Sequence, residues 1–233
     1  MKKFKFLLAD ADDTIMDFHK AEHSALIAAH VRFGVPYTDY YLNMYSEIND
    51  SLWKAYERGE LSSSDEIART RFKIYFEKRG LEMDEVAFRN EYEKNLALGS
   101  FVFDDVFPTL NKIAEAARFY IVTNGRTVIQ KSRLALNGLD KLAEGVFISE
   151  EIGFRKPSEE YFDYVADNIE GFDINEALLL GDSVTADMPA KKFGFTTCLI
   201  DRNRRYADCK NPEKELNADY VITSFEEAEK FFL

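Results

Sequence analysis

Short apolar runs of strand length alternate with helix-length segments from about residue 99 onward, and that rhythm admits few folds. The runs are Phe119-Tyr120-Ile121-Val122, Val146-Phe147-Ile148, Ala177-Leu178-Leu179-Leu180, Thr197-Cys198-Leu199-Ile200 and Tyr220-Val221-Ile222. Strands apolar at every position are covered on both faces, so the alternation predicts a parallel sheet with crossover helices. The helices are expected at about Asp105–Ala117, in a segment ending at Gly138, at Ser158–Ile169, in a short stretch up to Phe193, and after a cap pairing Ser224 with Glu227.

Another apolar run, Phe6-Leu7-Leu8-Ala9, opens the chain but is cut off from the others by a purely helical block. There, His19–Phe33 stops at Gly34, Thr38–Tyr56 ends near Gly59, Ser63 and Glu66 form a capping box for a helix reaching Gly80, and Asp84–Leu98 stops at Gly99. The fold class expected is therefore α/β. A doubly wound parallel-sheet core, residues 1–16 and 99–233, carries an inserted all-helical domain, residues 17–98.

At 233 residues the chain accommodates one large domain or two modest ones, and 46% hydrophobic with 31% charged residues is ordinary for a soluble protein. No apolar run approaches the roughly 20 residues of a membrane span. The start, Met1-Lys2-Lys3-Phe4-Lys5, leads into an apolar stretch that ends in acids with no small-residue cleavage site. It reads as the approach to a first strand, hence a cytoplasmic protein. A net charge of −12 argues against a nucleic-acid polymer as partner but leaves room for a small phosphorylated metabolite. Cys198 and Cys209 are too few for a disulfide framework, and Cys198 reads as a buried, reduced thiol.

In an open parallel sheet, ligands bind beyond the carboxyl ends of the strands. The first strand ends in Asp10-Ala11-Asp12-Asp13-Thr14, and crowded carboxylates at such a place repel unless a cation or shared proton compensates. The strand at 119–122 ends in Thr123-Asn124-Gly125. That at 146–148 leads to Lys156-Pro157, and that at 177–180 ends in Gly181-Asp182-Ser183 with Asp187 beyond. Alone, Asp182 reads equally well as a helix N-cap, Thr123 as a strand residue and Lys156 as a loop lysine. Their convergence on one sheet edge points to chemistry.

Asp10-x-Asp12-x-Thr14, Thr123, Lys156 and Gly181-Asp182 with Asp187, in that order, resemble the four signatures of the haloacid dehalogenase superfamily, most of whose members are phosphatases. The resemblance covers essentially the whole chain, and the helical insert looks like the family's type-one cap. It implies a Mg²⁺-dependent phosphomonoester hydrolase acting through an aspartyl phosphate. Asp10 would be the nucleophile and a metal ligand. Asp12 would serve as acid and base in turn, with its backbone carbonyl on the metal. Asp182 would complete the ligand set, and Asp187 would orient Lys156 or a water beside the ion. Thr123, Asn124 and Lys156 would bind the phosphoryl group, with backbone amides near Ala11 and Asn124 adding donors.

Dehalogenases of the superfamily keep no acid at the position of Asp12, because halide departs unprotonated, so Asp12 favours phosphoester chemistry. Asp17-Phe18, Asn49-Asp50-Ser51-Leu52-Trp53, Tyr56-Glu57-Arg58-Gly59 and Thr123-Asn124-Gly125 resemble the pyrimidine 5′-nucleotidases of the superfamily, which implies a nucleoside 5′-monophosphate substrate. Asp17 and Phe18 are then specificity candidates. Ala9 and Asp13 depart from the phenylalanine and glycine common there, and neither change removes a catalytic group. Sugar phosphates, or a phosphoaspartate receiver-like signalling module, are the alternatives; receivers lack the second aspartate two residues on. The aromatics Tyr37, Tyr40, Tyr41, Tyr45, Trp53 and Tyr56 read as domain core before base-stacking platforms. His19 and His23 have zinc-compatible spacing, but without an evident third ligand they read as solvated or packing residues. Arg202, Arg204 and Arg205 read as a solvated loop.

Overall fold

The computed structural model describes residues 3–233; Met1 and Lys2, at the head of the segment read as approaching the first strand, lie outside the described residues. In chain order, β1 (Phe6–Ala9) is followed by α1 (Phe18–Phe33), α2 (Asp39–Glu57), α3 (Ser64–Arg79) and α4 (Glu85–Leu96). Then come α5 (Val106–Ile113), β2 (Arg118–Thr123), α6 (Thr127–Asn137), α7 (Leu139–Leu142), β3 (Gly145–Ile148), α8 (Ser149–Ile152) and α9 (Glu159–Asp167). The chain finishes with β4 (Ala177–Gly181), β5 (Thr196–Ile200), α10 (Pro212–Glu215) and β6 (Tyr220–Ile222).

All strand pairs are parallel, and the sheet order is β3-β2-β1-β4-β5-β6. This is a doubly wound, Rossmann-like α/β fold. Central β1 is in register with both neighbours, Leu8 opposite Tyr120 and Leu179. Its four residues are all buried, as a strand covered on both faces requires. One core cluster joins Phe6, Leu8, Tyr120, Val122 and Leu179 of the strands to Tyr161, Phe162 and Val165 of α9.

The chain divides into two compact units. The α/β unit comprises residues 1–17, 102–127 and 137–233; the helical unit comprises 18–101 and 128–136. The stretch 128–136, which the sequence reading left in the α/β part, thus groups with the helices. Arg133 Nε donates to Gly99 O (2.9 Å), Ser132 Oγ to Ala97 O (2.7 Å), and Ile129 enters the helical core.

That core is aromatic: Tyr45, Phe72, Tyr75, Phe76, Phe88 and Tyr92 are buried together. Of the aromatics read as core, Tyr45 and Tyr56 are buried, Tyr41 and Trp53 half-buried, while Tyr37 and Tyr40 are exposed. Ser63 caps α3 by accepting from the Glu66 N–H, but the Glu66 carboxylate reaches back to the N–H of Ser62 (2.9 Å). The helix expected over 105–117 ends at Ile113. The last helix is a short 3-10 segment, Glu226–Phe231, whose Glu227 accepts from the N–H (2.9 Å) and hydroxyl (2.8 Å) of Thr223.

Candidate active site

The strand order reverses between β1 and β4, and the crevice beyond the carboxyl ends of two such strands is where open α/β sheets bind ligands. Asp10 follows β1 directly and extends its ladder, its N–H donating to Leu180 O at 2.8 Å. Asp182 follows β4 directly. Two carboxylates from distant parts of the chain therefore meet by strand adjacency alone. With Asp187 they form a cluster in which one carboxylate oxygen from each lies within 4.8 Å of the others.

Lys156 crosses this cluster. Its buried Nζ donates to Asp10 Oδ1 (2.7 Å), Asp187 Oδ1 (2.6 Å) and the carbonyl of Val122 (3.0 Å). An ammonium has three N–H donors, so these contacts engage all of them. The lysine backbone is clamped as well: Asn124 Nδ2 donates to Lys156 O (2.8 Å) and Lys156 N–H to Asn124 Oδ1 (2.9 Å). The Asn124 side chain is thereby taken up in positioning Lys156, which leaves its backbone N–H for any ligand. Thr123 is the last residue of β2 and is buried.

Asp187 is held at its other oxygen by the N–H of Ser183 (3.0 Å). A Cβ at Gly181 would fall on the Asp187 carboxylate, which is why glycine ends β4. Both Asp187 oxygens are thus occupied by protein donors. One of these contacts is to the Lys156 ammonium, which Asp187 thereby orients.

The loop after β1 is a tight turn. Asp12 bridges to Met16, which bridges in turn to Val102, and the Asp13 N–H donates to Met16 O at 2.7 Å. Asp13 has φ +56°, the left-handed region where glycine is at ease and Asp is among the tolerated alternatives. Asp12 is half-buried, and its carboxylate stands outside the Asp10–Asp182–Asp187 cluster. Asp17 is the last residue of the first α/β segment; Phe18 opens α1 in the helical unit, under the guanidinium of Arg133 at 5.6 Å.

Arg202 corrects the sequence reading of 202–205 as a solvated loop, and Arg205, exposed as that reading has it, is nonetheless ion-paired. Arg202 donates through Nε (3.1 Å) and a terminal nitrogen (2.8 Å) to Thr14 O and pairs with Asp105, locking the loop after β1. Arg205 pairs with Asp182 Oδ2 at 2.8 Å. Arg204 is exposed as expected.

Electrostatics follow from this crowding. Burial pushes the Asp10 carboxyl well above its usual range; Lys156 opposes this, while Asp187, Asp182 and Asp12 add to it. Burial and then Asp187 push Asp182 up to about 6 against the lowering influence of Arg205. Lys156 is disfavoured by burial as a cation, but Asp10 and Asp187 outweigh that and hold it firmly protonated. Asp10, Asp182 and Asp187 offer carboxylate oxygens, and their ion pairs are with Lys156 and Arg205, so the donor set is all oxygen with negative charge in excess. That composition fits a hard divalent cation such as Mg²⁺, with Asp10 and Asp182 as the carboxylates best placed to hold it.

A switch-point crevice carrying a buried, lysine-bridged pair of aspartates places the chain among α/β enzymes that use a strand-end carboxylate. The chain belongs to the haloacid dehalogenase-like hydrolases, matching that family over residues 4–192. It is 34% identical over 227 residues to the HAD-hydrolase YfnB of Bacillus subtilis, covering 97% of this chain and 92% of YfnB. The crystal structure of YfnB bound to magnesium superposes with a TM-score of 0.87 over 99% of both chains. The pyrimidine 5′-nucleotidase PynA of Streptococcus pneumoniae is 35% identical over 186 residues, covering 79% of this chain and 78% of PynA. The pyrimidine 5′-nucleotidase YjjG of Escherichia coli is 26% identical over 231 residues, covering 98% and 97%.

Among the described residues, no helix is long and apolar enough to cross a membrane.

Proposed function

We infer that the chain is a Mg²⁺-dependent phosphomonoester hydrolase whose substrate is a nucleoside 5′-monophosphate, with a pyrimidine base preferred. The observation that carries the reading is the Lys156 ammonium bridging Asp10 and Asp187 beside Asp182 at the switch point. The likeness to PynA and YjjG supports the substrate class. Its setting is the cytoplasm, where the free thiols Cys198 and Cys209 stay reduced. The α/β unit serves as catalytic core and the helical unit as cap.

Lys156 holds Asp10 Oδ1, so Oδ2 attacks phosphorus. A bond forms between that oxygen and phosphorus while the ester P–O bond breaks, and Asp12 gives its proton to the departing alkoxide. Asp12, now a carboxylate, takes a proton from the water that attacks the aspartyl phosphate, which returns Asp10 as carboxylate and releases inorganic phosphate. The Thr123 hydroxyl and the N–H groups of Ala11 and Asn124 bind the phosphoryl oxygens. With its N–H donors engaged, Lys156 acts on the phosphoryl charge through space rather than by a direct hydrogen bond. Mg²⁺, when bound by Asp10, Asp182 and the Asp12 carbonyl, neutralises the charge that otherwise keeps a carboxylate and a phosphate apart. Asp17 and Phe18 contribute to substrate choice.

The test is a kcat/KM screen of purified protein with Mg²⁺ over UMP, dUMP, dTMP, purine nucleotides and sugar phosphates. Higher kcat/KM for the pyrimidine nucleotides is expected, with no activity in Asp10→Asn and strong impairment in Asp12→Asn. A clear preference for sugar phosphates would reject the nucleotide assignment. Undiminished turnover by Asp10→Asn would reject the mechanism.

A further inference from the structure

Outside the acidic crevice, the helical unit gathers another set of ligand-type side chains. His19, Glu22 and His23 occupy positions i, i+3 and i+4 of α1, one face of the helix. One donor atom from each lies within 4.8 Å of the others. The His19 and His23 rings are 4.5 Å apart, and His19 Nδ1 is 4.0 Å from Glu22 Oε2. The sequence shows the two histidines; only the fold reveals that the residue between them points the same way and is buried.

The surroundings of Glu22 resemble the outer shell of a metal site. Ser46 Oγ donates to Glu22 Oε2 and lies 3.2 Å from His23 Nε2. Asn49 Nδ2 donates to Glu22 Oε1 (2.9 Å), and Asn49 is itself fixed by Arg71 (3.2 Å). Neutral donors thus fix the orientation of a buried carboxylate, and its shortest ion-pair contact is the 4.0 Å approach of His19. Such outer contacts orient a ligand without replacing the metal's charge. His19 is the exposed member, with a side chain 60% accessible, so it is free to swing in over the small distance that coordination at about 2 Å requires.

We propose that His19, Glu22 and His23 form a binding site for a borderline divalent transition-metal ion, of the Zn²⁺, Co²⁺ or Ni²⁺ class, on the helical unit. Two imidazoles and one carboxylate select such ions over Mg²⁺, which prefers oxygen donors alone. Three protein ligands leave a fourth position open to water or an exogenous anion, the arrangement of accessible rather than purely structural zinc sites. The site is chemically orthogonal to the all-oxygen cluster of the α/β unit.

The experiment titrates the full-length protein with Co²⁺ and Zn²⁺ in saturating Mg²⁺, reading the Co²⁺ d–d bands between about 500 and 650 nm and the Zn²⁺ heat. One equivalent of Co²⁺ is expected to bind with low-coordinate absorption. His19→Ala and His23→Ala should each weaken binding by roughly 10–100-fold, with Glu22→Gln similar and Asp182→Asn without effect. His19→Ala removes only an exposed side chain, so its folding is not in question; circular dichroism checks the other variants. Binding unchanged in both histidine variants, binding lost in Asp182→Asn, or no binding below about 100 µM would overturn the proposal.

Discussion

Lys156→Met tests the electrostatic argument most directly. The substitution keeps the length and apolar stem of the side chain but removes the ammonium that touches both Asp10 and Asp187. Removing one partner of a buried ion pair leaves an uncompensated charge, which typically costs about 3–5 kcal/mol. For a domain of this size that is a fall in Tm of roughly 6–20 °C. The loss should depend on pH in a definite direction. Burial already raises the Asp10 carboxyl, and Lys156 is the chief influence lowering it. Without the lysine the folded-state pKa climbs further above the unfolded value of 3.8, so the folded variant holds a proton that the unfolded chain has released.

Stability of the variant should therefore fall as pH rises, with the deficit against wild type largest near pH 8 and smallest near pH 5. Adding Asp187→Asn removes one of the stranded charges and should recover part of the loss, a coupling measurable as a double-mutant cycle. Urea denaturation at pH 5 and 8 gives the stabilities. Turnover of p-nitrophenyl phosphate with Mg²⁺ should drop at least 10²–10³-fold, about 3–4 kcal/mol of transition-state stabilisation. A Tm within about 2 °C of wild type at both pH values would refute the burial argument.

Gly181→Ala places a methyl group on the Asp187 carboxylate; a loss of about 1–3 kcal/mol in urea unfolding is expected, with turnover impaired because Lys156 loses its anchor. In the helical unit, burial lowers the pKa of His30, its Nδ1–H bond to Leu26 O opposes this, and the Arg79 guanidinium lowers it further. A depressed base contributes stability above its unfolded pKa of 6.5 and loses it as pH falls through the lower folded value, so amide protection factors in α1 and α3, with the intrinsic exchange rate at each pH divided out, should fall on acidification, and His30→Gln should flatten that response. Burial opposes ionisation of Asp219, but Lys191 at 2.7 Å and the N–H and hydroxyl of Thr197 outweigh it and hold the carboxyl below its usual range. Asp219→Asn should therefore cost about 1 kcal/mol at pH 7 and progressively less below pH 4, read by urea unfolding.

Much of the sheet could be read from sequence because a parallel strand buried on both faces cannot hide its pattern: β1 and β4 are apolar throughout, and the carboxylates begin where the strands stop. What escaped was set by partners with no sequence pattern linking them. Arg202 and Arg205 sit in a basic run that local reading assigns to solvent, yet Arg202 bonds to Thr14, 188 positions away, and Arg205 to Asp182. Their one legible signal was placement: they follow β5, whose carboxyl end lies on the functional edge. The side-chain role of Asn124 was likewise hidden: its amide closes a reciprocal pair with the Lys156 backbone, 32 positions away. Residues 128–136 were misplaced for a related reason, since Arg133, a charged residue in a helix, gives no hint that it is fully buried and bound to Gly99 O.

These corrections change the account of how the acidic loop is held. Asp13 takes a left-handed conformation that glycine would adopt without strain, so intrinsic backbone preference does not by itself fix the turn after β1. Arg202 supplies the missing constraint: its guanidinium grips Thr14 O, pairs with Asp105 and lies over the Phe103 ring at 3.9 Å. Asp105 in turn accepts the N–H of Phe225 at 2.7 Å, tying the loop to the last segment of the chain. The carboxylates at the switch point are thus positioned by two cationic supports, Arg202 through the loop backbone and Lys156 through Asp10 itself. Arg205, paired with Asp182, tempers the remaining repulsion, and Lys156 meets Asp10 at Oδ1.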